Sequence, residues 1–242
     1  MTYCLGICTK DGLIALADTR ITSGNQTTTA KKISLSQRPG HSLFIMTSGL
    51  RSVRDKAVTY FEEEIEAKDK TFNKLFKATN AFAKQLRQVA KEDKKALAES
   101  GLSFNLHAIV GGQLEDDPEP KLFLVYPEGN WVEVSKATPF FIIGNTGYGK
   151  PILDRAVSYE SSLEFALKTG FLSFDATRLS ANDVGFPIDV VVYRKDTFQM
   201  VEQRYEESEL RSVSKFWDQS MKKIINEIDG TWLDKVFSKV TP

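Results

Sequence analysis

The chain has 242 residues, 41% hydrophobic and 26% charged, a composition typical of a soluble globular protein of one domain or two. Its 32 basic residues balance 32 acidic ones, so no overall positive charge attracts nucleic acid or anionic lipid. No apolar run approaches the roughly 20 residues of a membrane-spanning helix, and the start of the chain lacks a signal-peptide pattern. We therefore expect a cytoplasmic protein with no nucleic-acid or membrane partner and a mature start near residue 1.

The two cysteines and the two histidines form no recognised nucleophile or metal pattern. Cys4 and Cys8 lie four residues apart in an apolar stretch, without the second pair that a zinc or disulfide framework needs. His41 and His107 are distant from each other in the sequence. We expect the cysteines to be buried thiols in a reducing compartment, the histidines to be structural, and no metal or organic cofactor to be required.

The first hundred residues predict strands followed by helices. Short apolar segments separated by turn residues indicate strands at Thr2 to Thr9, Leu13 to Asp18, Lys32 to Ser36 and Ser42 to Thr47. We interpret these as a meander of two successive hairpins. From Val53 the apolar residues recur every three or four positions, which predicts two long amphipathic helices ending near Gly101.

The rest of the chain repeats this order. Four strands are predicted at Phe104 to Val110, Lys121 to Tyr126, Trp131 to Glu133 and Phe140 to Ile143. A pair of helices follows, one from Pro151 and one carrying Leu163 to Phe174. The chain then predicts a hairpin of Ile188 to Arg194 and Thr197 to Glu202, and a last helix from Leu210 to Ile228. Blocks of strands between pairs of helices favour an α+β fold, a four-layer αββα sandwich of two stacked sheets. We expect one domain over residues 1–242 with a helical extension at about 206–242.

Thr2 is the most suggestive candidate for chemistry. Methionine aminopeptidases generally remove an initiator Met that precedes a small residue, which would make Thr2 the N-terminal residue. Its hydroxyl would then lie beside its own α-amine, whose pKa of about 8 suits it to accept the hydroxyl proton. Small residues are common at position 2, so an ordinary strand residue is the alternative.

Charged residues near two predicted strand ends could support such a nucleophile. Asp18 and Arg20 follow the second strand, and Lys32 opens the third. A lysine beside the hydroxyl would stabilise the developing alkoxide, and an aspartate would position that lysine and balance its charge. The spacing alone favours the alternative, a turn that carries solvated charges.

These residues lie within a longer pattern that resembles the opening of proteasome β-type subunits, which are N-terminal nucleophile hydrolases. The matching segments are Thr2 with the strand after it, Lys10 to Arg20, Lys31-Lys32-Ile33, Met46 to Gly49, Ile109 to Gly112, Leu122 to Gly129 and Ile143-Gly144. The similarity covers most of residues 2–205. The segments from Tyr148 to Arg155 and from Phe186 to Asp189 most resemble the Anbu branch, the bacterial ancestral β subunits.

The resemblance implies a role for each matching residue. Thr2 is implied as the nucleophile, Asp18 and Lys32 as its charged partners, and the backbone N–H of Gly49 as the donor to the oxyanion. Lys31 and Lys32 alternate sides in a strand, and Lys32 is the one that matches the family lysine. The chain departs from the family where serines and an aspartate support the threonine amine. In the place of those residues this chain has Asn145 and Thr146, then Ser180, Asn182 and Asp183.

The function implied is a threonine-type peptidase that hydrolyses peptide or amide bonds in a homo-oligomer with an open-ring or helical arrangement. Two alternatives stay open. One is an amidase or transpeptidase acting on a specialised amide, and the other is a non-catalytic scaffold subunit of the same fold. The substrate and any ATPase partner are not indicated by the sequence.

Overall fold

The computed structural model describes residues 2–23, 26–67 and 72–240. Met1, whose removal is predicted above, lies outside them. The strands are β1 (Tyr3–Thr9), β2 (Gly12–Asp18), β3 (Arg20–Ser23), β4 (Gln26–Thr29), β5 (Ile33–Arg38), β6 (His41–Gly49), β7 (Leu106–Leu114), β8 (Lys121–Val125), β9 (Trp131–Glu133), β10 (Phe140–Gly144), β11 (Ile188–Arg194) and β12 (Met200–Tyr205). The helices are α1 (Arg51–Ala67), α2 (Leu75–Glu99), α3 (Lys150–Ala156), α4 (Leu163–Ser180), α5 (Glu207–Glu227) and α6 (Asp234–Phe237).

Two antiparallel five-stranded sheets carry the architecture. The first has the strand order β10-β1-β2-β11-β12, and the second has the order β5-β6-β7-β8-β9. Their inner faces share one apolar core, in which Ala15 and Ala17 of the first sheet pack with Phe44, Met46 and Ile109 of the second. The predicted strand meander is therefore divided, because β1–β2 and β5–β6 lie in different sheets.

Helices cover the outer face of each sheet. The second sheet buries its outer face against α1 and α2, whose Phe61, Phe82 and Leu86 belong to the same apolar cluster as Val110 and Phe123. The helices α3 and α4 pack together, and α4 lies against β1 and β2 of the first sheet. This arrangement confirms the predicted α+β fold with four layers in the order αββα.

The face of strand β1 that points toward the second sheet carries small residues, because the space between the sheets is narrow there. Gly6 faces the second sheet, where an added Cβ would lie 3.0 Å from side-chain atoms of Ile109 and Leu122. Cys4 and Cys8 belong to the same inter-sheet core, and both are free, buried thiols. Leu5 and Ile7 point the other way, toward Gly170 of α4. The alternation confirms that the cysteines are packing residues.

The chain divides into two compact units, residues 1–206 and 207–242. The second unit contains α5, a short 3-10 turn and α6. Several of its large apolar side chains are exposed, among them Phe216, Ile225 and Trp232. In residues 2–23, 26–67 and 72–240, no helix combines the length and hydropathy needed to cross a bilayer.

The small hairpin β3–β4 was not predicted. It pairs Arg20 with Thr29 and Ser23 with Gln26, outside both main sheets. The residues Gln26–Thr29 are all exposed, so they lack the alternation of buried and exposed positions that marks a strand in a sequence.

Candidate active site

A cavity of about 580 Å³ opens at the end of the sandwich where β1 begins and where β2, β6 and β10 end. Its lining includes five residues singled out from the sequence: Thr2, Arg20, Lys32, Gly49 and Thr146. Asp18 lies directly behind Lys32. The pairing of the strands therefore gathers residues that are up to 144 positions apart at a single opening.

The floor of the cavity contains a buried ion pair. The Lys32 ammonium donates a 2.7 Å hydrogen bond to Asp18 Oδ1 and another of 2.7 Å to the backbone carbonyl of Arg20. The Lys32 side chain is 6% exposed and that of Asp18 is fully buried. Burial raises the pKa of Asp18, and the Lys32 charge and the backbone N–H of Tyr3 oppose this effect. A buried pair of this kind holds a cation in a fixed position at the edge of the cavity.

Thr2 is fixed by its backbone on both sides. The N–H of Tyr3 donates to Asp18 Oδ1 at 2.8 Å, and the carbonyl of Thr2 accepts from the N–H of Asn145 at 2.7 Å. Gly144 has a φ of +90°, and a Cβ there would lie 1.9 Å from the Thr2 carbonyl oxygen, so only glycine fits. The hydroxyl of Tyr3 donates to Ser173 of α4 at 2.7 Å. The first residues of β1 are thus held by both neighbouring strands and by a helix.

Gly49, the last residue of β6, borders the same cavity. Its φ is +145°, and a Cβ would lie 2.1 Å from the carbonyl oxygen of Asn105. Gly49 is opposite Leu106, next to the hydrogen bond from Leu50 N–H to the Asn105 carbonyl. Because bonded and non-bonded pairs alternate in an antiparallel ladder, the Gly49 N–H points away from β7. On that side β5 begins only opposite Met46, so the N–H extends beyond the edge of the sheet.

The two adjacent lysines behave differently. Lys31 is half exposed, and its ammonium pairs with Glu202 at 2.6 Å. Lys32 turns inward to Asp18. This is the division expected from the alternation of side chains along an extended segment.

The supporting residues proposed from the sequence separate into two groups. Arg20 and Thr146 line the cavity, and Asn145 beside Thr146 binds the Thr2 carbonyl. Ser180 ends α4 and Asp183 follows it; among the described residues that line this cavity, neither is present.

Sequence reasoning missed a group of polar residues at the rim. Arg51 and Arg54 at the start of α1 line the cavity, as do Asn105, His107 and Tyr126. The sequence predicts a structural role for His107, yet this residue lies opposite Ser48 and stacks edge-on against Tyr126 at the opening. The available signal was an asparagine directly before an apolar strand and a histidine at the second position of that strand. The other histidine, His41, is buried at the far end of β6.

Within residues 2–23, 26–67 and 72–240, no group of three histidines, cysteines or carboxylates is arranged to hold a metal ion. The described residues that line the opening offer a hydroxyl, an ammonium, guanidinium groups, an imidazole, a phenol and backbone N–H groups.

Comparison with known proteins identifies the family. The family model for the proteasome subunit matches residues 2–192, which is most of the chain. The chain belongs to the proteasome subunit family. No match was found among curated proteins.

Solved structures of Anbu are strongly similar to this proteasome-family chain. An Anbu (Gly-1) mutant from Hyphomicrobium sp. strain MC1 is 32% identical, with a TM-score of 0.86 over 94% of this chain and 99% of that one. Anbu (ancestral beta-subunit) from Yersinia bercovieri is 28% identical, with a TM-score of 0.86 over 94% and 98%. The helical assembly of the Anbu complex from Pseudomonas aeruginosa is 27% identical, with a TM-score of 0.87 over 94% and 97%. The chain is therefore a proteasome-like β-type subunit with strong structural similarity to Anbu.

Proposed function

We propose that this chain is a threonine-type peptidase whose nucleophile is the Thr2 hydroxyl, exposed when Met1 is removed. The observation that carries the proposal is that Thr2, the buried Asp18–Lys32 pair and the outward N–H of Gly49 border one cavity. A nucleophile, a charge that stabilises its alkoxide and an oxyanion donor are the parts that acyl transfer requires.

The proposed reaction has two halves. Thr2 Oγ attacks the substrate carbonyl carbon while the α-amine of Thr2 takes the hydroxyl proton, and the oxyanion accepts the Gly49 N–H. The C–N bond then breaks, the amine product leaves with that proton, and an ester to Thr2 remains. Water attacks the ester, its proton passing to the α-amine and on to the departing Oγ. The products are a carboxylic acid, an amine and unchanged Thr2.

Lys32 and Asp18 act on the first half of this reaction. The Lys32 ammonium stabilises the developing negative charge on Oγ, and Asp18 holds the ammonium in place and also binds the Tyr3 N–H. One carboxylate thus positions both the cation and the strand that carries the nucleophile.

The test is the intact mass of the protein after treatment with a panel of peptide epoxyketones that carry Leu, Lys, Gln or Glu beside the warhead. The reagent closes a ring only with both a hydroxyl and a free α-amine. We expect loss of Met1 and a single adduct, and no adduct on Thr2→Ala. Where Met1 is retained, the protein is co-expressed with a methionine aminopeptidase. A chain beginning at Thr2 that forms no adduct with any member contradicts the proposal and favours the scaffold alternative.

Product analysis separates a peptidase from an amidase or transpeptidase. Incubation with mixed peptides and small amides should give peptide acids and free amines. Products in which the acyl group is joined to a second amine would instead identify a transpeptidase.

We also propose that the chain is a single-domain homo-oligomer in which residues 206–242 contribute to subunit contacts. The support is the apolar surface on α5, where Phe216 is 72% exposed, together with the helical assembly of the similar Pseudomonas protein. Truncation after Tyr205 should lower the assembled mass measured by light scattering. Phe216→Ser, which keeps the helix, should lower it as well. An unchanged oligomer in both variants contradicts this role.

A further inference from the structure

The charges around the cavity are strongly one-sided, although the chain as a whole is neutral. Four basic side chains line it: Arg20, Lys32, Arg51 and Arg54. None of the described residues that line it is an aspartate or a glutamate. Asp18 neutralises Lys32 from behind and is itself fully buried. The arginines therefore provide the net charge that an incoming molecule meets.

The two arginines of α1 share one carboxylate. Arg51 Nε lies 3.4 Å from Asp55 Oδ2, and Arg54 Nη1 lies 3.4 Å from Asp55 Oδ1. Two guanidinium groups and one carboxylate leave one positive charge at the rim, and Arg20 adds another. A local concentration of one sign of charge in a concave site attracts ligands of the opposite sign.

Arg54 is the best positioned of the arginines. Its side chain is only 20% exposed, and its Nη2 donates to the backbone carbonyl of Lys31, the residue directly before Lys32. A guanidinium has five N–H donors, so this bond and the contact with Asp55 leave several without a partner among the described residues. Arg54 is thus held rigidly, one residue from the lysine of the cavity floor, with donors still available.

The neutral residues at the rim add further donors. Asn105, His107 and Tyr126 line the same opening. In the described part of the chain, the side-chain amide of Asn105 and the hydroxyl of Tyr126 make no hydrogen bond. A rim of arginines, an amide and a phenol suits a planar group with several acceptor oxygens.

We infer that the site selects substrates with a carboxylate side chain, that of glutamate or aspartate, on the residue whose carbonyl Thr2 attacks. This inference rests on the proposed function and specifies its substrate class. Arg54 receives the carboxylate in a charge-assisted, two-point hydrogen bond, and Arg51 strengthens the field at the rim. A glutamine side chain has the same shape but no charge. It therefore makes a weaker hydrogen bond with Arg54 and is not attracted by the positive charge at the rim.

The test compares labelling rates of two epoxyketones that differ only in Glu against Gln beside the warhead. We expect the Glu reagent to label the wild-type protein about tenfold faster or more, and its advantage to shrink as salt is raised. Arg54→Gln should bring the Glu/Gln rate ratio close to one, and Arg51→Glu should lower it. Arg155→Gln on α3, which removes an exposed arginine outside the cavity lining, should leave the ratio unchanged.

The ratio is an internal measure, since a variant that folds poorly loses both rates together. A wild-type ratio near one, with labelling by both reagents, overturns the inference and leaves the threonine peptidase intact. A Glu/Gln rate ratio that stays high in both Arg54→Gln and Arg51→Glu also overturns the inference, because a group other than these arginines must then bind the carboxylate. Labelling by no member of the panel contradicts the proposed function itself.

Discussion

The two ends of the sandwich use polar residues in opposite ways. At the end remote from the cavity, the amide of Gln113 bonds to Asp196 Oδ1 at 2.8 Å and to the Asp117 carbonyl at 3.1 Å, and it accepts from the Tyr193 hydroxyl at 2.8 Å. At the other end, Thr2, Lys32 and Gly49 border an open cavity. The polar groups at the remote end bond to one another, whereas those at the cavity end face the opening.

The difference follows from how the strands are connected. The turns of the hairpins β1–β2, β5–β6 and β11–β12 all lie at the remote end, where polar side chains bond the backbone of tight turns. At the cavity end, β6 and β10 lead into helices. Because the chain leaves these strands for helices and does not fold straight back as a hairpin, the strand ends stay uncovered. The same sheets therefore have a sealed end and an open one.

The largest effect that tests this contrast should come from Lys32→Met. It leaves the Asp18 charge buried without its cation, so we expect a loss of roughly 3–5 kcal/mol in the free energy of unfolding and loss of epoxyketone labelling. The double variant Asp18→Asn/Lys32→Met keeps an acceptor for the Tyr3 N–H and should recover much of the stability without the labelling.

Lys31→Met is the matched control, since that lysine pairs with Glu202 at the surface. Its effect on stability should stay below about 1 kcal/mol, with labelling unchanged. Urea denaturation and intact mass measure both quantities. Full labelling of Lys32→Met would mean that the ion pair serves folding alone.

Two glycines compare the ends directly. Gly49 at the cavity and Gly12 at the remote end have φ values of +145° and +147°, and a Cβ would lie 2.1 Å and 1.9 Å from a neighbouring strand carbonyl. Each change to alanine should cost about 1–3 kcal/mol of stability. Gly49→Ala should also slow labelling by roughly 100-fold, because the oxyanion donor moves.

Gly12→Ala should label at close to the wild-type rate at a temperature where both variants are folded. Equal slowing in the two variants would show that labelling reports general strain and that the N–H of Gly49 has no special role.

The smallest expected effect is the pH dependence of stability that comes from His41, at the remote end. Burial and the neighbouring Arg38 lower the pKa of His41 to about 4, from an ordinary value near 6.5. The unfolded chain therefore binds a proton at His41 between pH 6.5 and 4 that the folded chain does not bind, so stability is lost as the pH falls through this window. At pH 5 the loss relative to pH 7.5 is about 2 kcal/mol.

The variant His41→Gln keeps an acceptor for Arg38 and should not show this loss of stability. The measurement is the free energy of unfolding, from urea denaturation at pH 7.5 and at pH 5. The Glu/Gln labelling ratio should not change, since His41 lies far from the opening. A variant that loses stability toward pH 5 as steeply as the wild type would contradict the buried neutral state of His41.

The sequence predicted the layers well because long amphipathic helices and apolar strands carry strong periodicity. It missed β3–β4, since Gln26–Thr29 of β4 are all exposed and lack the alternation that marks a strand. It also placed β1–β2 and β5–β6 in one meander, since pairing between distant strands leaves no local signal. The rim arginines were missed for a related reason: Arg51 and Arg54 begin a helix, and only the turn after Gly49 brings that helix end to the cavity.

The spacing of residues along the sequence was likewise not enough to predict how the site is assembled. The separation of Asp18 from Lys32 fits a solvated turn as well as a buried pair, and the resemblance to a known family was needed to choose between them. The same resemblance pointed to Ser180 and Asp183, yet these do not line the cavity in the described part of the chain. Their proposed role in supporting the amine remains a prediction.

Gly144 and Gly49 border the cavity and leave no room for a methyl group, which would lie 1.9 Å from the Thr2 carbonyl oxygen at Gly144 and 2.1 Å from the Asn105 carbonyl oxygen at Gly49. These two positions are therefore poor places to alter selectivity, because a side chain added at either one displaces the backbone beside it, which at Gly144 is that of Thr2. The first turn of α1 has the opposite character, since Arg51 extends into solvent from a helix that bears no part of that backbone. An engineer who wishes to change which substrates are accepted should randomise this turn and leave the sheet edge untouched.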